Sequence, residues 1–344
     1  MNRLKNYLKK ENIDCAVILS KDPSFLYFLK ENIEQGILVI FRKNNPILFI
    51  SRLEEASKNL RIKKIIYKKP LEQIKELLDK HKVKTIGISE SYIFLKQYRI
   101  FKKIVKKTRN IEDFLAELRQ KKTEEEINKI KKACKITDNI FLKLIKNFNF
   151  KTEEQVRRFI LKEMAEEGVE KSFDVIVASE INAAVPHHSR LTKLKKGFLV
   201  LDFGVKYQGY CSDMTRTIYL GIPSKQEIRL YNKLLAIQKQ AIKKIKRGVK
   251  AKDINSFVRN SLEEYEKYFT HSLGHGIGIK IHERPNLSED SKDILSDNMV
   301  FTVEPGIYIP NKLGIRIEDD IILNKKPIIL TKSRKDLITI KNFK

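Results

Sequence analysis

Apolar positions fall into two regimes along the chain. From residue 1 to about 110, short apolar runs alternate with stretches of helical period. "DCAVILS", "GILVIF", "PILFIS", "KKIIY" and "KTIGIS" predict strands. "RLKNYLKK" and "PLEQIKELLDK" predict amphipathic helices, the second opened by Pro70, which suits a first helical turn. "FRKNNP" fits the turn between two antiparallel strands. This half reads as a small α/β domain and contains no cluster of His, Asp or Glu that suggests chemistry.

A helical regime follows. Thr123 and Glu126 form a capping box, after which Ile127, Ile130, Cys134, Thr137, Phe141 and Leu144 recur at spacings of three and four. One long packed helix is predicted, and the same pattern argues less well for a coiled-coil dimerisation seam. Thr152 and Gln155 open a second helix that Gly168 can end. Two more helices are expected around 225–247 and 252–268.

The strands between and after these helices carry unusual residues. "LVLDFGVKYQGYCSDMTRTIYL", residues 199–220, has two apolar runs around a polar turn. Asp202 and Asp213 interrupt the runs, although Asp is depleted from strands. With the turn centred at Tyr207 and Gln208, the two carboxylates face each other across one side of the ladder. "MVFTVEPGIYIPNKLGIRIEDDIIL", residues 299–323, repeats the pattern, with Glu304 and Glu318 equally far from Asn311. One such hairpin could be an accident balanced by a lysine. Two predict a site of four carboxylates.

Between them lies "HSLGHGIGIKIHERP", residues 271–285, with three of the six histidines of the chain. Its glycines argue against a helix, and in extended chain His271 and His275 share a face. Four buried like charges repel and lose hydration, so cations must sit among them. Two divalent ions balance four carboxylates, and one histidine adds a neutral nitrogen ligand. An oxygen-rich set suits Mn²⁺ or Co²⁺, with Fe²⁺ next, better than a metal that prefers thiolates.

Composition narrows the class. The 344 residues are 42% hydrophobic and 33% charged, which fits an ordinary globular protein of about two domains. The net charge of +27 raises the question of nucleic-acid binding. The lysines are spread over the whole chain, without a recognition motif, so no specific nucleic-acid partner is expected. No apolar run approaches the ~20 residues of a membrane span, and no apolar signal core follows the basic start. A cytoplasmic location is expected. Cys15, Cys134 and Cys211 lack metal or redox spacing and read as reduced, buried side chains.

In order and spacing, "DFG" (202–204), "GYCSDMTRT" (209–217), "HSLGHGIG" (271–278), "VEPGIY" (303–308) and "GIRIEDD" (314–320) resemble the motifs of the pita-bread metallopeptidases. That family includes methionine aminopeptidase, aminopeptidase P and prolidase. The resemblance implies an α+β protein: a small N-terminal α/β domain (1–110), a linker (111–122), and a pita-bread catalytic domain (123–344) with a curved antiparallel sheet backed by helices. It implies Asp202, Asp213, His275, Glu304 and Glu318 as ligands of two divalent metals, Mn²⁺ first, with Co²⁺, Fe²⁺ or Zn²⁺ as alternatives. Asp213 and Glu318 would bridge both ions, Asp202 would hold one, and His275 and Glu304 the other.

The leading domain and Arg316 are similar to aminopeptidase P and prolidase rather than methionine aminopeptidase. "NAAVPHHSR" (182–190) resembles their substrate loop and brings in His187, and "IHERP" brings in His282. The implied catalytic groups are Glu304 as proton carrier, with His187, His282 and Arg316. His187, His271, His282 and Arg316 are the implied substrate contacts. His188 is left unassigned, as a solvated loop residue. The expected activity is that of an Xaa-Pro aminopeptidase acting on peptides with proline second. An Xaa-Pro dipeptidase is the alternative, and a non-catalytic peptide- or nucleic-acid-binding protein the remote one. A homodimer is implied by the resemblance alone. One departure bears on substrate length: many prolidase-like sequences have Arg where this chain has Asn286, and such an Arg could bind the carboxylate of a short substrate. Arg284 is the nearby substitute.

Overall fold

All five strands predicted in the first hundred residues form, and a sixth joins them. β1 (Cys15–Leu19), β2 (Gly36–Phe41), β3 (Ile47–Ser51), β4 (Lys63–Tyr67), β5 (Thr85–Ile88) and β6 (Lys107–Asn110) make one mixed sheet in the order β4-β3-β2-β1-β5-β6. This is a computed structural model describing residues 1–54, 60–190 and 192–343. β1 and β2, and β2 and β3, run antiparallel; the outer pairs are parallel. Helices cover both faces, as a sheet with parallel outer pairs requires. Leu4 and Leu8 of α1 (Asn2–Lys10), Phe25 and Leu29 of α2 (Pro23–Leu29), and Leu115 and Leu118 of α5 (Glu112–Gln120) pack on one face. Ile74 and Leu78 of α3 (Pro70–Lys80) and Phe101 of α4 (Leu95–Ile104) pack on the other.

The chain divides into two compact units, Met1–Arg119 and Gln120–Lys344. The stretch 111–122, expected as a linker, is mostly α5, whose apolar residues belong to the core of the first unit. Its acidic first turn (Glu112, Asp113) and apolar 3–4 spacing make it a helix.

The second unit is mixed α/β as expected, and each carboxylate hairpin has its own helix pair. Among its strands, β7 (Glu170–Lys171) joins β10 (Val205–Tyr207) and β11 (Tyr210–Cys211). The order β20-β12-β9-β8 contains β8 (Ile176–Ser179), β9 (Gly197–Asp202), β12 (Thr215–Leu220) and, parallel to β12, β20 (Thr339–Ile340). α6 (Glu124–Lys146) and α7 (Glu153–Glu166), both opened by the predicted capping boxes, share a core with this hairpin through Ile140, Val156, Leu199, Leu201 and Ile218. A second sheet runs β14-β13-β15-β18-β19, from β13 (His275–Gly276), β14 (Glu283–Asn286), β15 (Val300–Val303), β18 (Asp319–Asn324) and β19 (Lys326–Ile329). β16 (Gly306–Ile309) and β17 (Leu313–Arg316) continue β15 and β18 toward the turn at Asn311. α8 (Lys225–Lys244) and α9 (Ala251–Leu262) pack on it through Leu234, Ile254, Phe301 and Ile321.

The three cysteines are free and buried. No helix of the described residues is long and apolar enough to cross a membrane.

Candidate metal centre

The first hairpin closes one residue later than predicted. Gln208 and Gly209 both adopt positive φ (47° and 82°), the requirement of a tight I′ turn. Tyr207 therefore pairs with Tyr210, and Asp202 lies opposite Thr215, not Asp213. The expected head-on pairing of the two aspartates is thus replaced by a two-residue stagger. Moving the turn by one residue shifts the pairing by two, so both side chains keep the same face. Asp213 falls across from Gly204, where a Cβ would sit 1.8 Å from the Ser212 carbonyl oxygen; only glycine fits. The second hairpin has the predicted register. Val303 pairs with Asp319 and Gly306 with Arg316, which brackets Glu304 and Glu318 as opposite neighbours.

These residues meet in the wall of a cavity of about 810 Å³, lined by Asp202, Asp213, His275, Glu304 and Glu318 among others. His271, His187, His282 and Arg316 line it too, so all nine sequence-predicted residues come together. Ligand atoms of Asp213, His275 and Glu318 all lie within 4.8 Å of one another. His275 Nε2 is 3.4 Å from Glu304 Oε1 and 3.6 Å from Asp213 Oδ2. Its Nδ1 faces the Gly276 carbonyl oxygen at 3.1 Å. A carbonyl only accepts, so Nδ1 carries the proton and Nε2 presents a lone pair to the carboxylates.

Charge crowding is severe. Burial and the neighbouring carboxylates push Asp213 and Glu318 well above their ordinary values. Burial lifts Glu304 to about 8. Burial lowers His275 to about 4, with His282 the next cause, so its imidazole is neutral. Asp202 Oδ1, Asp213 Oδ1 and Glu318 Oε1 are buried without a hydrogen-bond partner among the described residues. Orphaned carboxylate oxygens beside a neutral imidazole lone pair are what divalent cations need. The residues fit a metal centre.

Several side chains hold the ligands in place. Arg316 donates from Nη2 to Asp202 (2.6 Å), from Nη1 to the Tyr308 hydroxyl (2.8 Å) and from Nε to Thr215 Oγ1 (3.0 Å). It therefore orients Asp202, a role beside the implied substrate contact. Thr215 donates in turn to Glu318 (2.6 Å), and Thr302 to Glu304 (3.1 Å). Asp320 accepts from the Asp213 backbone N–H (2.9 Å) and the Cys134 thiol (3.2 Å).

The histidines divide cleanly. His271 Nδ1 donates to the Ser272 carbonyl (2.8 Å), and Nε2 takes the Tyr308 hydroxyl proton (2.8 Å). Both nitrogens are committed, so His271 is a wall residue 4.0 Å from Glu304. His282 packs edge-on against His275, ring centres 4.3 Å apart. His187 and His282 face the cavity with no ring hydrogen bond among the described residues. His188 departs from the solvated-loop expectation: its side chain is folded in, with Nε2 3.7 Å from Glu153. Glu153, fully buried, accepts from the backbone N–H groups of Ser179 (2.7 Å) and Thr192 (2.8 Å) and so anchors the loop carrying His187.

Thr215, Thr302, Tyr308, Asp320 and Glu153 escaped the sequence reading. A hydroxyl residue in a strand looks like ordinary β propensity, and Glu153 looks like a helix-start acid. Only the double acid after Glu318 hinted at Asp320.

Residues 128–325 match the metallopeptidase family M24, and residues 1–121 the creatinase/prolidase N-terminal domain. The chain belongs to metallopeptidase family M24. It is a peptidase, with the mixed α/β fold of that family. It is 35% identical to the Xaa-Pro dipeptidase of Pyrococcus horikoshii over 98% of each sequence. Its structure is similar to an Xaa-Pro dipeptidase from Bacillus anthracis (TM-score 0.93, 32% identity, 98% of each chain). It is also similar to an X-Pro aminopeptidase from Thermotoga maritima (TM-score 0.89, 32% identity, 96% of this chain and 98% of that one).

Proposed function

We propose that this M24 peptidase is an Xaa-Pro dipeptidase that works with two Mn²⁺ ions. The observation that carries the reading is the cluster of four carboxylates and a His275 preset as a nitrogen ligand, in a chain matching Xaa-Pro dipeptidases along its length. The aminopeptidase reading made from the sequence becomes the second one. Asn286 at the cavity wall and the likeness to the Thermotoga enzyme favour it.

Asp202, Asp213, His275, Glu304 and Glu318 would hold the ions. When bound, these would polarise the scissile carbonyl and make a water nucleophilic at neutral pH. Glu304 lines the cavity, where it can take a proton from water and pass it to the leaving nitrogen. An Xaa-Pro amide nitrogen has no hydrogen, so the site cannot grip one, and proton delivery to that nitrogen matters more. His187 and His282, unspent within the protein, would donate to the substrate carbonyl and to charge developing on it. Arg316 acts through Asp202 as a positioning residue.

The test is kcat/KM of the Mn²⁺-loaded protein on Ala-Pro, Ala-Pro-Ala, Ala-Ala and Ala-Ala-Ala. About a tenfold or greater preference for proline is expected, with Ala-Pro cleaved. Ala-Pro-Ala cleaved with Ala-Pro untouched would make it an aminopeptidase. Equal rates on the proline and alanine peptides would leave a general metallopeptidase.

A further inference from the structure

A short peptide carries a carboxylate that a cation should meet, and the cavity offers few. Arg316 lines it but is engaged with Asp202, Tyr308 and Thr215. Arg284, the substitute suggested by the sequence, does not line it. Asn286 does, but amide donors carry no charge.

The remaining arginine at the cavity wall is Arg157 on α7, one turn past Glu153. It is partly exposed. It holds Glu154 through Nε (2.8 Å) and Nη2 (3.2 Å), and Nη1 has no acceptor among the described residues. Glu154 also accepts from Arg158 (2.7 Å), so one carboxylate serves two guanidiniums and leaves a net positive charge there. The other wall carboxylate close by, Asp174, is taken by Lys171. Apolar Phe173, Val175, Pro186 and Ile281 line the same cavity. Among the described residues the cavity wall thus combines a carboxylate cluster with one cation, Arg157, that has donors to spare. A guanidinium is well shaped to receive a carboxylate through two parallel N–H groups.

We propose that Arg157 receives the C-terminal carboxylate of the substrate and so does the work of the arginine absent at position 286. The proposal rests on the Xaa-Pro peptidase reading. It deepens that reading by making a free C-terminus part of what the enzyme selects.

The experiment compares free acids with their C-terminal amides, Ala-Pro against Ala-Pro-NH₂ and Ala-Pro-Ala against Ala-Pro-Ala-NH₂. Mn²⁺-loaded wild type, Arg157→Gln, Arg157→Lys and Arg284→Ala are assayed. In Arg157→Gln, kcat/KM should fall about tenfold on the better free acid, mainly through KM, and stay level on its amide. Arg157→Lys should recover part of the loss, and Arg284→Ala should match wild type. Equal losses on acid and amide, or a loss of acid preference in Arg284→Ala alone, would overturn the assignment of Arg157 and leave the peptidase reading intact. If wild type cleaves none of the proline peptides, the underlying reading falls and the proposal with it.

Discussion

The two carboxylate hairpins use one device with different registers. In the second, Glu304 and Glu318 are opposite neighbours around a turn at Asn311. In the first, Asp202 and Asp213 are staggered by two, because Gln208 and Gly209 both take positive φ. The stagger places Thr215 across from Asp202 and lets its hydroxyl link Arg316, which holds Asp202, with Glu318 of the other hairpin. The difference shows that a shared face is enough to gather ligands. The offset decides which hydroxyls and guanidiniums stand behind them.

The harshest test of this pairing removes one carboxylate from each hairpin. Asp213→Ala and Glu318→Ala should behave alike despite the different registers, since both residues belong to the same ligand cluster and each has an orphaned carboxylate oxygen. Each should lower turnover on the order of a thousandfold and reduce bound Mn²⁺, read by metal analysis of the purified protein. Normal metal content in one variant and loss in the other would break the symmetry between the hairpins.

A finer test removes the hydroxyl behind each hairpin's carboxylates. Thr215→Val strips Glu318 of a donor and Arg316 of an acceptor at a fully buried position. Thr302→Val, equally buried, strips a donor from Glu304 and an acceptor from the His275 backbone N–H, but touches no guanidinium. Metal affinity measured by titration should fall about ten- to a hundredfold in Thr215→Val, and less in Thr302→Val. The reverse order would assign the supporting role to the second hairpin.

These hydroxyls mark where the sequence stopped being legible. Carboxylates inside apolar runs, and histidines crowded between them, break local rules and so announce a site. Thr215 and Thr302 break none; their task appears only when strands distant in sequence meet. The same divide runs through the fold. Capping boxes at Thr123 and Thr152, with apolar periodicity behind them, place α6 and α7. "PSFLYFL" is too short and too uniformly apolar to show a helical period, yet Asp22 caps it and Pro23 opens it as α2. β6, "KTRN", is polar and lies at a sheet edge, so its pairing with β5 leaves no apolar trace. The first hairpin's turn lies one position beyond the one its sequence predicts because Gln208, not a glycine, takes the first left-handed conformation.

The smallest effect expected is on pH-dependent stability, and its sign follows from the crowding of charge. In the metal-free protein Glu304 is raised from 4.5 to about 8, and Asp213 and Glu318 are raised as well. Asp320 behind them is raised to about 7 by burial. A carboxyl with a raised folded-state pKa contributes stability that is whole below its unfolded value. That stability is lost as pH rises through the folded one, because the folded chain holds more protons than the unfolded chain in between. His275, lowered from 6.5 to about 4, works in the opposite sense: its contribution is present above 6.5 and is lost as pH falls through 4. Between pH 6.5 and 8 the raised carboxyls outnumber the Met1 amine, which burial lowers from 8.0 and which works in the opposite sense, so the metal-free protein should lose Tm across that window. Mn²⁺ must displace the protons they hold, so its stabilisation should grow over the same window. Melting curves at pH 6.5 and 8, with chelator and with Mn²⁺, measure both trends. Glu304→Gln removes one of the two raised ligands of the second hairpin and Asp213→Asn the raised ligand of the first, so each should flatten the metal-free slope. A flat wild-type slope with chelator would mean that the carboxylates are already relieved by neighbours, and the case for two cations would lose its electrostatic ground.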